Sequence, residues 1–346
     1  FFFKQKTAYE ISTRDWSSDV CSSDLVRPEN QDQFFIGQLA RGIRLHSTSL
    51  KVEPNSVLLG DGTGHLFMVA DGMGGHQGGE EASRIAIEYF MTAILNRPQW
   101  NSLIARYGED HQLRDELGAI LNEAHQEIRR RSEADVSLAG MGTTFTMAYV
   151  MWPIMLVVHA GDTRCYLLRQ GKLDLLTSDH TIANRMLQTG RLKAGPSERS
   201  PWANVLYNAL GAGSDGVQAD IYARLLDSDD AILMCSDGLN KHVDDATIER
   251  VLNESNNMQQ ACDTLVQLAK QGGGTDNVTV VAAQWRSATV DPIMRVTATA
   301  PAEERCVSEL PNPMREVTTI PGTSTIPAGP LDDLSGDTDP MATEQF

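Results

Sequence analysis

The sequence predicts an α+β fold: a layered αββα sandwich of two mainly antiparallel sheets flanked by helices. Two observations predict it. From Val26 to about Arg286, apolar segments of strand length alternate with helical patterns that are apolar on one face. Neighbouring strand segments are separated by short connections, which favours antiparallel pairing over the long crossovers that a parallel sheet needs.

Each element follows from a local pattern. A helix is predicted to open at Glu80, because apolar residues recur behind it at helical spacing and the acids of its first turn favour a helix N-terminus. The glycine-rich stretch Gly60–Gly64 predicts a hairpin turn before a strand at His65–Ala70. The other predicted helices are Leu113–Arg131, Asp244–Leu252 and Met258–Lys270, and the other predicted strands are Thr143–Val150, Ile154–Ala160, Arg164–Arg169, Ala231–Cys235 and Asn277–Trp285.

The chain divides into three segments by composition. Residues 1–25 lack a starting methionine, and Asp15–Leu25 can be written as codons that resemble a sequencing-library adapter, so we expect this segment to be non-native. Residues 26–286 carry the periodic patterns of one domain, with an irregular flap at about 177–221. Residues 287–346 are rich in Pro, Thr, Ser and acids, which predicts a disordered tail.

Charge and cysteine content exclude several function classes. A net charge of −17 argues against nucleic acid or an anionic membrane as partner, and no apolar run is long enough to cross a bilayer. The five cysteines are scattered without metal-ligand spacing, which favours a reduced, cytoplasmic protein. Any anionic ligand would therefore need a local positive charge from a metal ion or an arginine.

Aspartates lie at the ends of several predicted strands. Asp71, Asp162 and Asp237 each follow an apolar run, Asp276 directly precedes one, and Asp32 lies near the start of the domain. A single acid beside a glycine at a strand end is most simply interpreted as a turn residue. Several carboxylates at one edge of a core repel each other unless cations compensate them, and oxygen ligands without Cys or His clusters favour Mg²⁺ or Mn²⁺.

The motifs resemble those of the PPM-type (type 2C) serine/threonine protein phosphatases, particularly the bacterial ones. The likeness runs in order from about Val26 to Trp285. The matching motifs are Arg27-x-x-Asn30-x-Asp32, Asp71-Gly72-Met73-Gly74-Gly75, Met141-Gly142-Thr143-Thr144, Gly161-Asp162-Thr163-Arg164, Ser236-Asp237-Gly238-Leu239 and Gly274-Thr275-Asp276-Asn277-Val278-Thr279.

This resemblance implies a role for each matching residue. Asp71 is expected to bridge two Mn²⁺ or Mg²⁺ ions, with the Gly72 carbonyl as a further ligand. Asp237 and Asp276 should complete the shell of the other ion. The remaining expectations are that Asp32 holds a water on a metal ion, Arg27 grips the substrate phosphate, and Asp162 joins Asp237 at a third, weaker ion.

The implied reaction is hydrolysis of phosphoserine and phosphothreonine on proteins by a metal-activated water, without a covalent phosphoenzyme. The implied partners are kinase substrates or the kinases themselves, and we expect a monomer. Two alternatives stay open: a catalytically inactive module that binds phosphoproteins or regulates a partner, and a phosphatase for small phosphoesters. An inactive module should have lost Asp71, Asp237 or Asp276, and all three are present.

Two positions depart from the family pattern. Gln31 stands where several members have a metal-binding glutamate, and it can offer only a neutral oxygen. Met73 stands where many eukaryotic members have a histidine proposed as general acid, and a thioether cannot donate a proton. The nearby His76 is a candidate for that role, with an ordinary loop histidine as the simpler interpretation.

Overall fold

The computed structural model describes residues 16–23, 29–44, 57–75, 77–96, 111–191, 201–213, 216–285 and 304–306. The strands in chain order are β1 Trp16–Ser23, β2 Asp32–Arg44, β3 Val57–Met73, β4 Gly142–Thr143, β5 Phe145–Met151, β6 Ile154–Ala160, β7 Arg164–Arg169, β8 Lys172–Leu175, β9 Asp220–Leu225, β10 Ala231–Cys235, β11 Val278–Trp285 and β12 Glu304–Cys306. The α-helices are α1 Gly78–Asn96, α2 His111–Ala134, α3 Ile182–Gln188, α4 Asp237–Asn240, α5 Asp245–Glu254 and α6 Met258–Gln271.

The strands form two sheets. One has the order β1-β11-β10-β7-β8, and the other has the order β12-β3-β5-β6-β9 with β2 and β4 also paired to β3. All of these pairings are antiparallel except that of β12 with β3. The predicted α+β sandwich of mainly antiparallel sheets is confirmed.

Buried side chains form three apolar layers. Phe67, Val157 and Met234 belong to the layer between the sheets. In this layer the rings of Phe67 and Trp285 pack edge-to-face with their centroids 6.2 Å apart. A second layer lies under α1 and α2, and a third under α5 and α6. Strands buried on both faces have nearly continuous apolar sequences, which explains why the predicted bounds of β6 and β10 agree with the observed ones.

Two local predictions differ from the structure. The hairpin turn predicted at Gly60–Gly64 is wrong: β3 runs through these glycines, and β2 follows it with register shifts near Ala40. Glycines in a strand can mark a bulge as well as a turn. The flap, which was predicted to be irregular, contains the helix α3. The Thr181 hydroxyl caps the first turn of this helix by accepting a hydrogen bond from the Asn184 N–H.

The two terminal segments are only partly described. Trp16–Ser23 pairs as an edge strand with β11, although the sequence patterns predict no strand there. The open edge of a strand such as β11 can pair with any extended segment. That residues 1–25 are non-native stays a prediction. Within the tail, Glu304–Cys306 pairs with the start of β3, and the rest of residues 286–346 lies outside the described residues. Among the described helices, none has the length and apolarity of a membrane span.

Candidate metal centre

Asp32 and Asp71 face each other across two neighbouring strands. Asp32 begins β2, Asp71 lies near the end of β3, and the antiparallel register makes them direct partners. Asp32 is 5% exposed, and its Oδ2 accepts a hydrogen bond of 2.7 Å from the Ser236 hydroxyl. Because Ser236 directly follows β10, this bond links the acid of one sheet to the strand end of the other.

Close backbone contacts hold the end of β3 in place. The Asp71 N–H donates to Thr144 Oγ1 at 2.9 Å, and the Thr144 N–H donates back to the Asp71 carbonyl at 2.9 Å. The Gly72 N–H donates to the Gln31 carbonyl at 3.2 Å. A Cβ on Gly72 would collide with the Gly79 carbonyl oxygen, so only glycine lets the start of α1 approach this strand end.

Asp237 and Asp276 lie at neighbouring strand ends of the other sheet. Asp237 begins α4, two residues after the end of β10, and Asp276 lies two residues before β11. A Cβ on Gly238 would collide with the Asn277 carbonyl oxygen, so glycine is needed here for the same reason as at Gly72. Lys241 Nζ lies between the two acids, 2.5 Å from Asp237 Oδ2 and 3.0 Å from Asp276 Oδ2.

Asp162 is positioned by a buried turn after β6. Gly161 has a φ of 118°, which favours glycine. Its N–H donates to His180 Nδ1 at 3.2 Å and its carbonyl accepts from the His180 N–H at 2.7 Å. The His180 ring also lies 3.1 Å from Asp220 Oδ2 and 2.7 Å from Asn208 Nδ2. The flap thus holds the turn that carries Asp162.

The carboxylates are close enough to shift one another's pKa. Burial, together with the charges of Asp32, Asp237, Asp162 and Asp276, holds the pKa of Asp71 well above its usual range. Burial also raises the pKa of Asp32 to about 7 and that of Asp162 to about 8, with neighbouring acids adding to both shifts. The pKa of Asp237 is raised by burial as well, although Lys241 opposes the shift. Carboxylates that are costly to ionise together need a compensating cation.

The donor set fits a hard divalent ion. Asp32 Oδ1 and Asp237 Oδ1 are buried and lack a hydrogen-bond partner within the described part of the chain. Such atoms are costly unless a ligand meets them. No three acidic, histidine or cysteine side chains among the described residues close around one point, and the Lys241 ammonium lies between two of the acids. The carboxylate and carbonyl oxygens present are those that Mg²⁺ and Mn²⁺ prefer.

The structure brings together five of the residues that the sequence singled out: Asp32, Asp71, Asp162, Asp237 and Asp276. Gly72 lies beside them with its N–H bonded to Gln31. Arg27 and His76 lie outside the described residues, so their predicted roles stay predictions.

The two departures from the family pattern lie beside this cluster. Gln31 is 6% exposed, its N–H donates to Asn277 Oδ1 at 3.1 Å, and its carbonyl accepts from the Ser83 hydroxyl at 2.7 Å. The backbone of Gln31 therefore joins the two sheets to α1. Met73 pairs with Gly142 at the end of β3.

Sequence reasoning missed Ser236 and Lys241. Ser236 belongs to a quoted motif, but nothing in the sequence indicates that its hydroxyl reaches Asp32, 204 positions away. Lys241 follows Asp237 by four residues, the spacing at which side chains meet on a helix. That spacing was a usable signal, although the four-residue helix α4 was too short to predict.

Comparison with known proteins decides the family. A family model described as protein phosphatase 2C matches residues 59–272. The chain belongs to the protein phosphatase 2C family. The resemblance inferred from the motifs is therefore confirmed.

Individual relatives of the phosphatase agree with this. The serine/threonine phosphatase stp of Listeria monocytogenes serotype 4b is 32% identical over 216 residues, which are 62% of this chain and 82% of stp. The crystal structure of Mycobacterium tuberculosis PstP/Ppp matches with a TM-score of 0.62 at 29% identity, covering 79% of this chain and 100% of that one. The PstP catalytic domain in complex with two manganese ions matches with a TM-score of 0.60 at 30% identity, covering 79% of this chain and 99% of that one.

The raised pKa values predict how the phosphatase responds to pH without metal. A native carboxyl with a raised pKa keeps a proton that the unfolded chain has released, so stability increases as pH falls through that native pKa. With Asp162 at about 8 and Asp32 at about 7, we expect the Tm of the metal-free protein to rise between pH 8.5 and pH 6.5. Below pH 6.5, His65 and His159 oppose the trend, because burial lowers the pKa of each to about 4.

Thermal melts across this pH range, after removal of divalent ions, measure the effect. Asp32→Asn should flatten the slope, whereas Asp174→Asn, on an exposed residue of β8, should leave it unchanged. A metal-free Tm that falls as the pH is lowered from 8.5 to 6.5 would contradict this account of the carboxylates.

Proposed function

We propose that the chain hydrolyses phosphoserine and phosphothreonine on other proteins at a centre of two Mn²⁺ or Mg²⁺ ions. The observation that carries this proposal is the proximity of Asp71, Asp237, Asp276 and Asp32, from both sheets, which is close enough for the other three to raise the pKa of Asp71. Among the described residues, Lys241 is the cation in contact with Asp237 and Asp276. Turn aspartates are usually exposed, whereas Asp32 is buried and the Asp237 and Asp276 side chains are only 14% and 15% exposed. The manganese-bound PstP catalytic domain supports the choice of ion.

The position of each acid indicates which metal ion it would bind. Asp71 and the Gly72 carbonyl at the end of β3 would hold one ion, and Asp237 and Asp276 would hold the other together with Asp71. Asp162, whose pKa is raised by Asp237 in addition to its burial, is the residue for a third and weaker ion. When bound, the ions supply activation of a water nucleophile and stabilisation of charge on the phosphoryl oxygens.

The surrounding residues orient these acids. The Ser236 hydroxyl bonds to Asp32 Oδ2, and this bond leaves Oδ1 for the centre. Ser236 Oγ in turn accepts from the Thr279 N–H at 3.0 Å, so the orienting group is itself held by β11. Arg27 would grip the phosphate of the substrate with its planar set of donors.

The wider context of this function is also proposed. The relatives named serine/threonine phosphatases support phosphorylated proteins as substrates, whether kinase targets or the kinases themselves. We further propose a cytoplasmic, monomeric enzyme with its catalytic domain at residues 26–286 and a tail that takes no part in catalysis.

Replacing one predicted ligand tests the proposal. Asp237→Asn should weaken Mn²⁺ binding at least ~100-fold and remove most turnover of a phosphothreonine peptide, because an amide oxygen is a poor substitute for a carboxylate at a divalent ion. Calorimetric titration with Mn²⁺ and a phosphate-release assay measure the two effects, and circular dichroism checks the fold.

Asp174→Asn is the matched control, since Asp174 is exposed on β8. It should bind Mn²⁺ and turn over like the unaltered protein. If Asp237→Asn kept full turnover, the proposed centre would be wrong. If the unaltered protein bound Mn²⁺ but hydrolysed no phosphopeptide, a catalytically inactive regulatory module would become the better interpretation of its function.

Arg27→Ala tests the proposed grip on the substrate. We expect a KM roughly 10- to 100-fold higher with a smaller change in kcat, because a lost charge-assisted hydrogen bond to phosphate removes about 1.5–3 kcal/mol of binding. Steady-state kinetics on a phosphothreonine peptide with saturating Mn²⁺ measure it. An unchanged KM would mean that Arg27 does not touch the substrate.

A further inference from the structure

Lys241 places a positive charge at the centre. It follows α4, one helical turn after Asp237, and its ammonium bridges Asp237 Oδ2 and Asp276 Oδ2 at 2.5 and 3.0 Å. Asp237 begins α4, whereas Asp276 lies in the loop before β11. The lysine therefore joins the pair that the proposed function assigns to a single ion.

This ion pair differs from an ordinary surface salt bridge. The Lys241 side chain is 26% exposed, and those of Asp237 and Asp276 are 14% and 15% exposed. Exposed pairs contribute little because water screens them, whereas charges largely removed from water depend on their partners. Arg164, another cation among the described residues near the site, is engaged by Asp179, to which it donates hydrogen bonds of 2.7 and 3.0 Å.

A divalent ion and the ammonium would compete most directly at Asp276. Its Oδ1 accepts a hydrogen bond of 2.9 Å from the Asn277 N–H, and its Oδ2 accepts one of 3.0 Å from Lys241 Nζ. Two cations on one carboxylate pair repel each other, so a metal ion held by Asp237 and Asp276 requires Lys241 to move. The structure offers space for this movement. A cavity of about 350 Å³ adjoins Asp237, and it is lined by Lys241, Asp162, Arg164 and Ser178 among others.

We propose that Lys241 is a built-in counter-ion of the metal centre, which holds Asp237 and Asp276 together in the metal-free protein and must be displaced when the metal ion binds. This inference rests on the proposed function, because it takes Asp237 and Asp276 as metal ligands. Lys241 thereby sets how much free metal the enzyme needs. Its contact with the two acids offsets their repulsion and, by the same competition, weakens the apparent affinity for the metal ion.

Removing the charge should have two opposite effects. Lys241→Met keeps the length and apolar stem of the side chain but leaves the two carboxylates uncompensated. We expect the metal-free protein to melt at a Tm several degrees lower and to bind Mn²⁺ at least ~10-fold more tightly than the unaltered protein. Lys241→Arg keeps the positive charge and should restore both values towards those of the unaltered protein.

The experiment is calorimetric titration with Mn²⁺ and thermal melting in chelator on the full chain. The variants are Lys241→Met, Lys241→Arg, Asp237→Asn and the control Lys172→Met, whose lysine lies exposed at the start of β8. Lys172→Met should match the unaltered protein in both measurements. If Lys241→Met does not fold, Lys241→Gln, which can still hydrogen-bond to a carboxylate, replaces it in the same comparison.

The outcomes separate this inference from the proposed function. Tighter Mn²⁺ binding with a lower metal-free Tm in Lys241→Met supports the counter-ion role, which a general loss of stability would not produce. Unchanged or weaker binding in Lys241→Met, while Asp237→Asn loses Mn²⁺ binding, overturns the role of Lys241 alone. If the unaltered protein binds no Mn²⁺, or Asp237→Asn binds it normally, the assigned ligands and the counter-ion role both fail.

Discussion

Repulsion between carboxylates at the ends of two sheets is the constraint on which the rest of the site depends. Asp71 is near enough to Asp32, Asp162, Asp237 and Asp276 for each of them to raise its pKa further, in addition to the effect of burial. Such an arrangement is unfavourable without a cation, and it persists because the surrounding fold is stable enough to hold it. The carboxylate repulsion that destabilises the protein without metal also favours the binding of a divalent ion.

The fold meets this constraint with backbone contacts that leave no room for a side chain. Gly72 lies against the Gly79 carbonyl, Gly238 lies against the Asn277 carbonyl, and Gly161 has a positive φ. Each of these glycines directly follows or precedes one of the acids. Strand ends are thereby held against neighbouring loops, and the side chains that carry charge are positioned by a rigid frame instead of by their own flexibility.

Much of the fold could be predicted because its strands are buried on both faces and its helices on one. Ile154–Ala160 and Ala231–Cys235 are continuous apolar runs, so their bounds agreed with the observed β6 and β10. The failure at Gly60–Gly64 has a clear cause: glycines permit a turn but do not require one, and pairing with β2 extends the strand through them. The helix α3 was missed because seven residues inside a polar segment carry little periodicity.

The acids of the site were predictable one by one, but their partners were not. Strand ends followed by Asp-Gly or Gly-Asp stand out in the sequence, and the family motifs assign roles to them. The contact of Ser236 with Asp32 and that of Lys241 with Asp276 depend on how the two sheets are packed and on which loops meet. No local pattern carries that information, since the residues concerned are far apart in the chain.

The most direct test of the central claim is anomalous diffraction from crystals of this protein grown with Mn²⁺. The account predicts one manganese peak against Asp71 and the Gly72 carbonyl and a second against Asp237 and Asp276, with the Lys241 ammonium moved out from between those two acids. Manganese bound elsewhere, or an ordered centre with Lys241 still bridging Asp237 and Asp276 and no manganese beside them, would contradict it.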